Sequence, residues 1–384
     1  MNKEKKIKVL QDLIKINSEN AHEIKVAQYL HDLLSEYQIE SEVLPLDGDR
    51  ANLVAEIGQG EDPRILGFSG HMDTVAVSDT NEWTYDPFSG HIEGDRLYGR
   101  GAADMKSGLA AQVIALIEMT EEGKLPAGKI RFLATFAEES GAPGSELLTK
   151  QGYSKDLSGL VISEPTSGRV IYAHSGFLNY QVESFGIAAH SSDPSKGVNA
   201  ISNLLPFLNV EKHFFEYAPE DPILGPVPHS VTIIEGGKQI NTIPNYALLR
   251  GNIRPTNSFS NEEVISVLNA EVDKINQLPD HQLKLTIIND LLPIGTDPQS
   301  EFIQFIKSMA QEGFATNDIE LDIMKGGTDA SLFIRANPNL PVAIFGADDW
   351  NISHQKDEFT TLSSYFHLID SLKLIGEKYF INVH

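Results

Sequence analysis

The sequence predicts an α/β protein: a mixed, mostly parallel sheet flanked by helices, with an inserted ferredoxin-like α+β domain. Two observations support this fold class. Short apolar runs that are typical of strands buried on both faces alternate with helical patterns, at positions 65–68, 130–136, 160–163 and 341–345. A different pattern occupies the region from about 177 to 288.

Helical periodicity is clearest near the N-terminus and between the first two apolar runs. From Asn20, a good N-cap, apolar residues recur at intervals of three and four up to Tyr37. A second helical pattern includes Leu109, Val113 and Leu116. Both patterns predict helices that pack on the sheet.

The region 177–288 contains, in order, an alternating strand, a helix, two strands, a helix and a strand. This β-α-β-β-α-β order is the split arrangement of ferredoxin-like domains. We therefore predict one discontinuous catalytic domain, residues 1–176 and 289–384, and one inserted domain, residues 177–288.

Composition narrows the function classes. The chain of 384 residues carries 54 acidic and 30 basic side chains, a net charge of −24, which disfavours nucleic acid and anionic membrane as partners. It has no cysteine, so any metal must be bound by His, Asp and Glu. No signal-peptide core or long apolar run is present, and a cytoplasmic location is expected.

Polar residues that could bind metal follow the predicted strands. His71 and Asp73 end the run 65–68, and residues two apart in an extended chain face the same side. Asp104 lies in a glycine-flanked turn before a helix, where a helix cap is the alternative interpretation. The Gly99-x-Gly101 pattern is not a dinucleotide fingerprint, because Asp104 would repel a pyrophosphate.

Further carboxylates follow the next strands. Glu138 and Glu139 come after the run 130–136, and in extended backbone their side chains would project in different directions. One could then bind a metal while the other acts as a general base. Glu164 ends the next strand, and His354 lies near the C-terminus.

Each of these residues alone has an ordinary structural interpretation, but together they predict a hydrolytic site with two metal ions. Ligands without sulfur suit zinc, cobalt or manganese. Two such ions about 3.5–4 Å apart can activate a bound water as the nucleophile.

The chain resembles the co-catalytic zinc amidohydrolases and peptidases that include acetylornithine deacetylase, succinyl-diaminopimelate desuccinylase, aminoacylase and carboxypeptidase G. The resemblance covers essentially the whole chain. It rests on His71-Met72-Asp73, the segment from Gly99 to Lys106, Glu138-Glu139, Glu164-Pro165, His354, the segment from Trp83 to Phe88, Ala189-His190-Ser191-Ser192 and Gly326-Gly327-Thr328-Asp329.

The resemblance implies roles for the residues of the catalytic domain. His71 and Glu164 would bind one ion, Glu139 and His354 the other, and Asp104 would bridge them. Asp73 would orient the site. Glu138 would be the general base, taking a proton from the bridging water that attacks the amide carbonyl and delivering it to the leaving amine.

It also implies roles for the inserted domain, which would act as a lid and form a homodimer. His190 would reach into a neighbouring subunit's site and stabilise the oxyanion. Asn241 and Arg254 would bind the carboxylate of a small N-acyl amino acid or dipeptide, and an arginine suits that role because its guanidinium is a bidentate donor.

Two positions depart from strict desuccinylases of this family. The chain has Ser175 where they have a basic residue, and Trp350 where they have an asparagine. A more apolar acyl group or a dipeptide would suit Trp350 better. The leading hypothesis is thus an N-acyl amino acid deacylase, with succinyl-diaminopimelate desuccinylase among its candidate activities. The alternatives are a dipeptidase or aminopeptidase with the same metal site and a non-catalytic binding protein. A serine hydrolase is disfavoured, because the sequence has no Gly-x-Ser-x-Gly elbow.

Overall fold

The structure, a computed structural model, describes residues 1–383 and divides the chain into two compact units. The first unit contains Met1–Ala173, Gly295–Ile323 and the chain from Thr328 onward. The second unit contains His174–Ile294 and Met324–Gly327. The catalytic and lid roles expected from the sequence stay predictions.

The strands are numbered in chain order. They are β1 (Ser41–Pro45), β2 (Ala51–Gly58), β3 (Ile65–His71), β4 (His91–Glu93), β5 (Arg96–Tyr98), β6 (Lys129–Thr135), β7 (Leu157–Ile162), β8 (Val170–His174), β9 (Phe177–Phe185), β10 (Ala189–His190), β11 (His229–Gly236), β12 (Thr242–Ile243), β13 (Tyr246–Ile253), β14 (Leu283–Leu291), β15 (Ile294–Gly295), β16 (Leu321–Met324), β17 (Val342–Ile344) and β18 (Phe359–Thr361).

The α-helices follow the same convention. They are α1 (Lys3–Lys15), α2 (Glu23–Glu36), α3 (Lys106–Glu121), α4 (Pro143–Lys150), α5 (Ala200–Asn203), α6 (Leu205–Val210), α7 (Asn261–Ile275), α8 (Glu301–Gly313), α9 (Ala330–Phe333) and α10 (Leu362–Asn382).

The main sheet of the first unit has the order β1-β2-β6-β3-β7-β17-β8-β15, with β16 paired to β8. Its centre is parallel: β3 pairs with β6 and β7, and β17 pairs with β7. The pairs β1–β2, β2–β6 and β17–β8 are antiparallel. The mixed α/β sheet expected from the sequence is confirmed.

The parallel centre explains why polar residues of distant sequence positions meet. All seven residues of β3 are buried, as the uninterrupted apolar run predicted. Because β3, β6 and β7 are parallel neighbours, their carboxyl ends lie at the same edge of the sheet. The chain leaves that edge at His71, at Glu138 and at Glu164, so these residues follow three adjacent strands.

The helix α3 follows the segment that contains Asp104 and is buried from Lys106 through Met119. Burial on every side matches its apolar sequence, since a helix that is apolar all round belongs in a core. It packs against α10, α1 and β3. This fixes the position of the loop that precedes it.

The second unit has a four-stranded antiparallel sheet of order β11-β13-β9-β14. Along β9 the side chains alternate between buried and partly exposed, and Leu178, Tyr180 and Val182 lie in the core with residues of α5, α6 and α7. The four strands of this sheet and the helices between them follow the predicted β-α-β-β-α-β order, with α5 and α6 in the place of one helix, and the short strands β10 and β12 are additional.

Two helix boundaries differ from the sequence predictions. The helix expected to begin after Asn20 begins at Glu23, because the Asn20 N–H donates to the Thr74 carbonyl and His22 adopts a left-handed conformation with φ of 67°. The first of the two helices predicted in the region 177–288 is divided into α5 and α6, because Pro206 lacks the N–H that a continuous helix needs at that position.

Candidate metal centre

The centre of the site is His71, which ends β3 and is 1% exposed. Its Nε2 lies 3.0 Å from Asp104 Oδ1 and 3.7 Å from Glu164 Oε2. Its Nδ1 lies 3.0 Å from the backbone carbonyl of Asp73. The carbonyl fixes the ring orientation, which directs Nε2 toward the two carboxylates.

Asp104 lies in the loop between β5 and α3, and its two carboxylate oxygens face different histidines. Oδ1 faces His71, whereas Oδ2 lies 3.4 Å from Nε2 of His354. Asp104 does not cap α3, because Met105 occupies the N-cap position and no side chain caps the helix there. The helix-cap interpretation of Asp104 is therefore wrong.

Glu138 and Glu139 lie in a short 3-10 turn after β6, not in the extended backbone that the sequence suggested. Ala137 turns the chain with φ of 56°. The buried carboxylate of Asp73 then accepts the N–H groups of Glu138 and Glu139, at 3.0 and 3.2 Å. Asp73 thus holds the turn that presents both glutamates.

His354 completes the cluster from a loop after a 3-10 turn at Trp350–Ile352. Its side chain is 46% exposed, and its Nε2 lies 2.9 Å from Glu139 Oε1. The cluster therefore has a buried side at His71 and Glu164 and a solvent-facing side at His354.

The electrostatics of the cluster show crowding of negative charge. Burial raises the pKa of Glu164 to about 8 and that of Glu138 well above its ordinary value. Burial disfavours the charged imidazole of His71, but the carboxylates of Glu164 and Asp104 outweigh it and raise its pKa well above the usual range. Hydrogen bonds to Asp104 and Glu139 raise the pKa of His354 to about 10.

This donor set fits divalent cations. Ligating atoms of His71, Asp104 and Glu139 all lie within 4.8 Å of one another. Carboxylates this close repel each other unless cations lie between them, and imidazole with carboxylate is a donor set that suits zinc, cobalt and manganese. His71, Asp104, Glu139, Glu164 and His354 could therefore hold metal ions.

The three remaining predicted residues lie in the second unit. His190 is exposed in β10, with Nδ1 2.7 Å from the hydroxyl of Ser192. Asn241 is exposed, and its backbone carbonyl accepts the backbone N–H of Ser191. The guanidinium of Arg254 lies 4.5 Å from the ring centroid of Phe177, and burial lowers its pKa.

Three buried acidic residues beside this cluster were not predicted as site residues from the sequence. Glu358 accepts the backbone N–H groups of Ala103 and Asp104. Asp329 is 1% exposed and accepts the hydroxyl of Thr135 at the end of β6. Glu23 is fully buried at the start of α2. Asp329 follows the glycine pair of the motif Gly326-Gly327-Thr328-Asp329, but Glu358 and Glu23 have no local signal that separates them from surface acids.

Comparison with known proteins identifies the family. The sequence model of Peptidase family M20/M25/M40 matches residues 67–378. The chain belongs to this peptidase family. The match includes every residue of the candidate site described above except Glu23, and it contains residues of both units.

Similarity to individual relatives and to solved structures of the M20 family supports this membership. A protein of Staphylococcus aureus (strain MRSA252) named probable succinyl-diaminopimelate desuccinylase is 39% identical, and the match covers 97% of each chain. The M20 metallo-carboxypeptidase Sso-CP2 from Sulfolobus solfataricus shares the fold with a TM-score of 0.83 at 18% identity, over 99% of this chain and 100% of that one. A dinuclear metal-binding M20 peptidase from Bacillus subtilis has a TM-score of 0.68 at 17% identity, over 96% and 97% of the two chains.

Membership of the M20 family makes the chain a metallohydrolase that acts on amide bonds. Within residues 1–383, no helix combines the length and the apolar character that crossing a membrane requires.

Proposed function

We propose that this chain is a deacylase of N-acyl amino acids that works with two divalent cations. The observation that carries the proposal is the carboxylate of Asp104. One oxygen lies 3.0 Å from Nε2 of His71 and the other lies 3.4 Å from Nε2 of His354. A carboxylate placed between two imidazoles in this way can be shared by two ions.

The remaining ligands divide into the same two groups. Glu164 lies beside His71, whereas Glu139 lies beside His354. We assign His71 and Glu164 to one ion, Glu139 and His354 to the other, and Asp104 to both. When bound, the ions supply Lewis-acid activation of water and of the scissile carbonyl. Zinc is our first choice, with cobalt and manganese as alternatives.

Glu138 is the proposed general base. Burial raises the pKa of its carboxyl, so the group can take up a proton from the attacking water and later release it to the leaving amine. Asp73 holds the backbone N–H of Glu138 at 3.0 Å and so limits where the carboxyl can point. Glu138 thus serves first as the base and then as the acid, and no second carboxyl group is required for the proton transfer.

The second unit supplies the proposed substrate contacts. We assign oxyanion stabilisation to His190, acting on the site of the neighbouring subunit in a homodimer. Arg254 and Asn241 would bind the substrate carboxylate. A local cation such as Arg254 is needed because the chain as a whole carries a charge of −24, which repels anionic substrates. We also propose that the protein is cytoplasmic and that its second unit acts as a lid.

N-succinyl-diaminopimelate is the first substrate to test, because the 39% identical Staphylococcus aureus protein is named a probable succinyl-diaminopimelate desuccinylase. A specific observation supports a dipeptide as the second candidate. Ser175 is buried and carries no charge, and Trp350 offers an aromatic surface that is 41% exposed. These residues suit a less anionic substrate than a succinyl group.

A substrate panel with the metal-loaded enzyme separates the candidates. The panel contains N-succinyl-diaminopimelate, N-acetylated amino acids and unmodified dipeptides, each with zinc, cobalt and manganese. We expect hydrolysis of N-acylated amino acids whose acyl group carries no α-amino group, which includes N-succinyl-diaminopimelate. Cleavage of dipeptides alone would replace the deacylase proposal with a dipeptidase.

Replacing the proposed base tests the mechanism. Glu138→Gln keeps the size of the side chain but cannot accept the proton, so kcat should fall about 10³-fold while two ions remain bound. Glu146→Gln is the matched control, because Glu146 lies in the same unit and pairs with Lys150 at the surface. Unchanged kcat in a metal-loaded Glu138→Gln enzyme would exclude Glu138 as the base.

A further inference from the structure

The loop that carries Asp104 and the loop that carries His354 are joined to neighbouring strands of a small sheet. The strands β4, β5 and β18 form this sheet, and β5 pairs antiparallel with β18. Tyr98 at the end of β5 is opposite Phe359 at the start of β18. The loop after β5 and the loop before β18 therefore emerge at the same end. The Gly99 N–H continues the pairing by donating to the Glu358 carbonyl at 2.9 Å.

The side chain of Glu358 binds the backbone of the first loop. Glu358 is 1% exposed, and its Oε1 accepts the N–H groups of Ala103 and Asp104 at 2.9 and 3.0 Å. Its Oε2 accepts Nη1 of Arg100 at 2.5 Å. Charge-assisted hydrogen bonds of this kind are short and strong. They fix the backbone from which the Asp104 side chain departs.

The side chain of Arg100 joins the same carboxylate to the second loop. Arg100 is 3% exposed and lies 5.1 Å from the ring centroid of Trp83. Its Nη1 also donates to the carbonyl of Gln355 at 3.3 Å, and its Nη2 donates to the carbonyl of His354 at 3.4 Å. One guanidinium thus contacts the backbone of His354 and the carboxylate that holds Asp104. We call Arg100 and Glu358 the clasp.

Fold stability alone is a weak reason for such a pair. Removing two charges from water costs several kcal/mol per ion, and well-packed apolar residues often replace a buried ion pair without loss of stability. Apolar residues could not, however, bind two backbone N–H groups of one loop and a carbonyl of the other. The clasp supplies a connection between the loops that packing would not supply.

We propose that Arg100 and Glu358 are positioning residues that hold Asp104 and His354 at the separation required by a divalent cation. The inference rests on the two-cation function proposed above. The clasp should act mainly on the ion assigned to Glu139 and His354, because that ion takes ligands from both clasped loops. The other ion also takes His71 and Glu164, which the main sheet positions through β3 and β7.

Metal binding tests the clasp independently of activity. The metal-free full chain is titrated with Co²⁺ by calorimetry, and two variants are compared with the wild type. Glu358→Gln keeps an oxygen for the backbone N–H groups but removes the charge that pairs with Arg100. Arg100→Lys keeps the charge but lacks the fork that reaches both loops. We expect one Co²⁺ to bind as in the wild type and the second to bind 10- to 100-fold more weakly.

A matched control lies elsewhere in the first unit. Arg131 is 9% exposed and pairs at 2.6 Å with Glu56, whose side chain is 31% exposed, so Glu56→Gln breaks a partly buried ion pair of the same unit. This variant should bind both ions with wild-type affinity. Circular dichroism checks that each variant is folded, and Arg100→Lys serves alone if Glu358→Gln does not fold.

The outcomes separate the clasp from the proposed function. The inference is supported if the wild type binds two ions and only the clasp variants bind the second ion more weakly. Wild-type affinities for both ions in folded clasp variants, or equal weakening of both ions, would overturn it and leave the proposed function standing. Fewer than two ions in the wild type would overturn both.

Discussion

His71 and Asp104 of the first unit and His190 of the second unit are held in different ways. In the first unit, Asp104 and His71 are at most 5% exposed and are fixed by hydrogen bonds from residues far away in the sequence. In the second unit, His190 is exposed, and its side chain contacts Ser192, two residues away. A buried group with hydrogen bonds to distant residues is positioned by its own unit. The position of an exposed group with local contacts depends on the substrate or subunit that it contacts.

This difference has a chemical meaning. Metal ligands must be held in place before the ion binds, because each misplaced ligand weakens the site. A residue that stabilises a transition state can be supplied by a surface that closes on the substrate. The first unit therefore has the properties of a preformed metal centre, and we expect the exposed His190 of the second unit to take its final position on contact with a substrate or another subunit.

The largest effect is expected from Asp104→Asn. Loss of the shared charge should weaken both ions, because each oxygen of Asp104 faces a different histidine. We expect kcat to fall about 10⁴-fold or more, beyond the effect of removing the base alone. Metal analysis after dialysis should find fewer than two ions per chain. Retention of two ions would contradict the bridging role.

A smaller effect is expected from His190→Ala in the second unit. Loss of one oxyanion donor should lower kcat about 10²-fold. Metal content and thermal stability should not change, because the side chain is exposed.

Mixing His190→Ala with Glu138→Gln tests whether His190 acts across subunits. Each mixed dimer then has one complete site, so an equal mixture should recover about a quarter of the wild-type rate. The two variants are unfolded and refolded together so that subunits exchange. Recovery no greater than the sum of the separate variants would place His190 in its own subunit's site.

An effect on stability, not on kcat, is expected from a buried acid of the first unit that is not among the proposed ligands. Asp348 accepts the hydroxyl of Ser107, and burial raises the pKa of its carboxyl to about 7. The folded chain then retains a proton that the unfolded chain loses near pH 4, so the free energy of unfolding decreases as the pH rises toward 7.

Asp348→Asn cannot lose that proton and should remove this decrease. Relative to the wild type, the variant should gain about 2 to 4 kcal/mol of unfolding free energy between pH 4 and pH 7. Urea unfolding of both proteins in a chelator measures the difference without metal binding. Parallel pH curves would show that Asp348 is already ionised in the folded chain.

The sequence predicted the parts of the site that depend on strand ends. His71, Glu138 and Glu164 follow apolar runs, and parallel pairing brings such ends together. It did not predict the turn at Glu138, which depends on a carboxylate 65 residues away in the sequence, that of Asp73.

Contacts over long sequence separation also explain why the clasp was missed. Glu358 lies 254 residues from the Asp104 N–H that it accepts. Nothing in its neighbourhood distinguishes it from a surface acid, and only the pairing of β5 with β18 shows that it is buried. The start of α2 was misplaced for a similar reason, since the Thr74 carbonyl fixes Asn20 outside the helix.

Anomalous X-ray diffraction from crystals grown with Zn²⁺ tests the central claim most directly. Data collected on both sides of the zinc absorption edge locate each ion without reference to activity. We predict two peaks per chain about 3.5–4 Å apart, with one oxygen of Asp104 bound to each. A single peak, or a second peak that His354 and Glu139 do not contact, would contradict it.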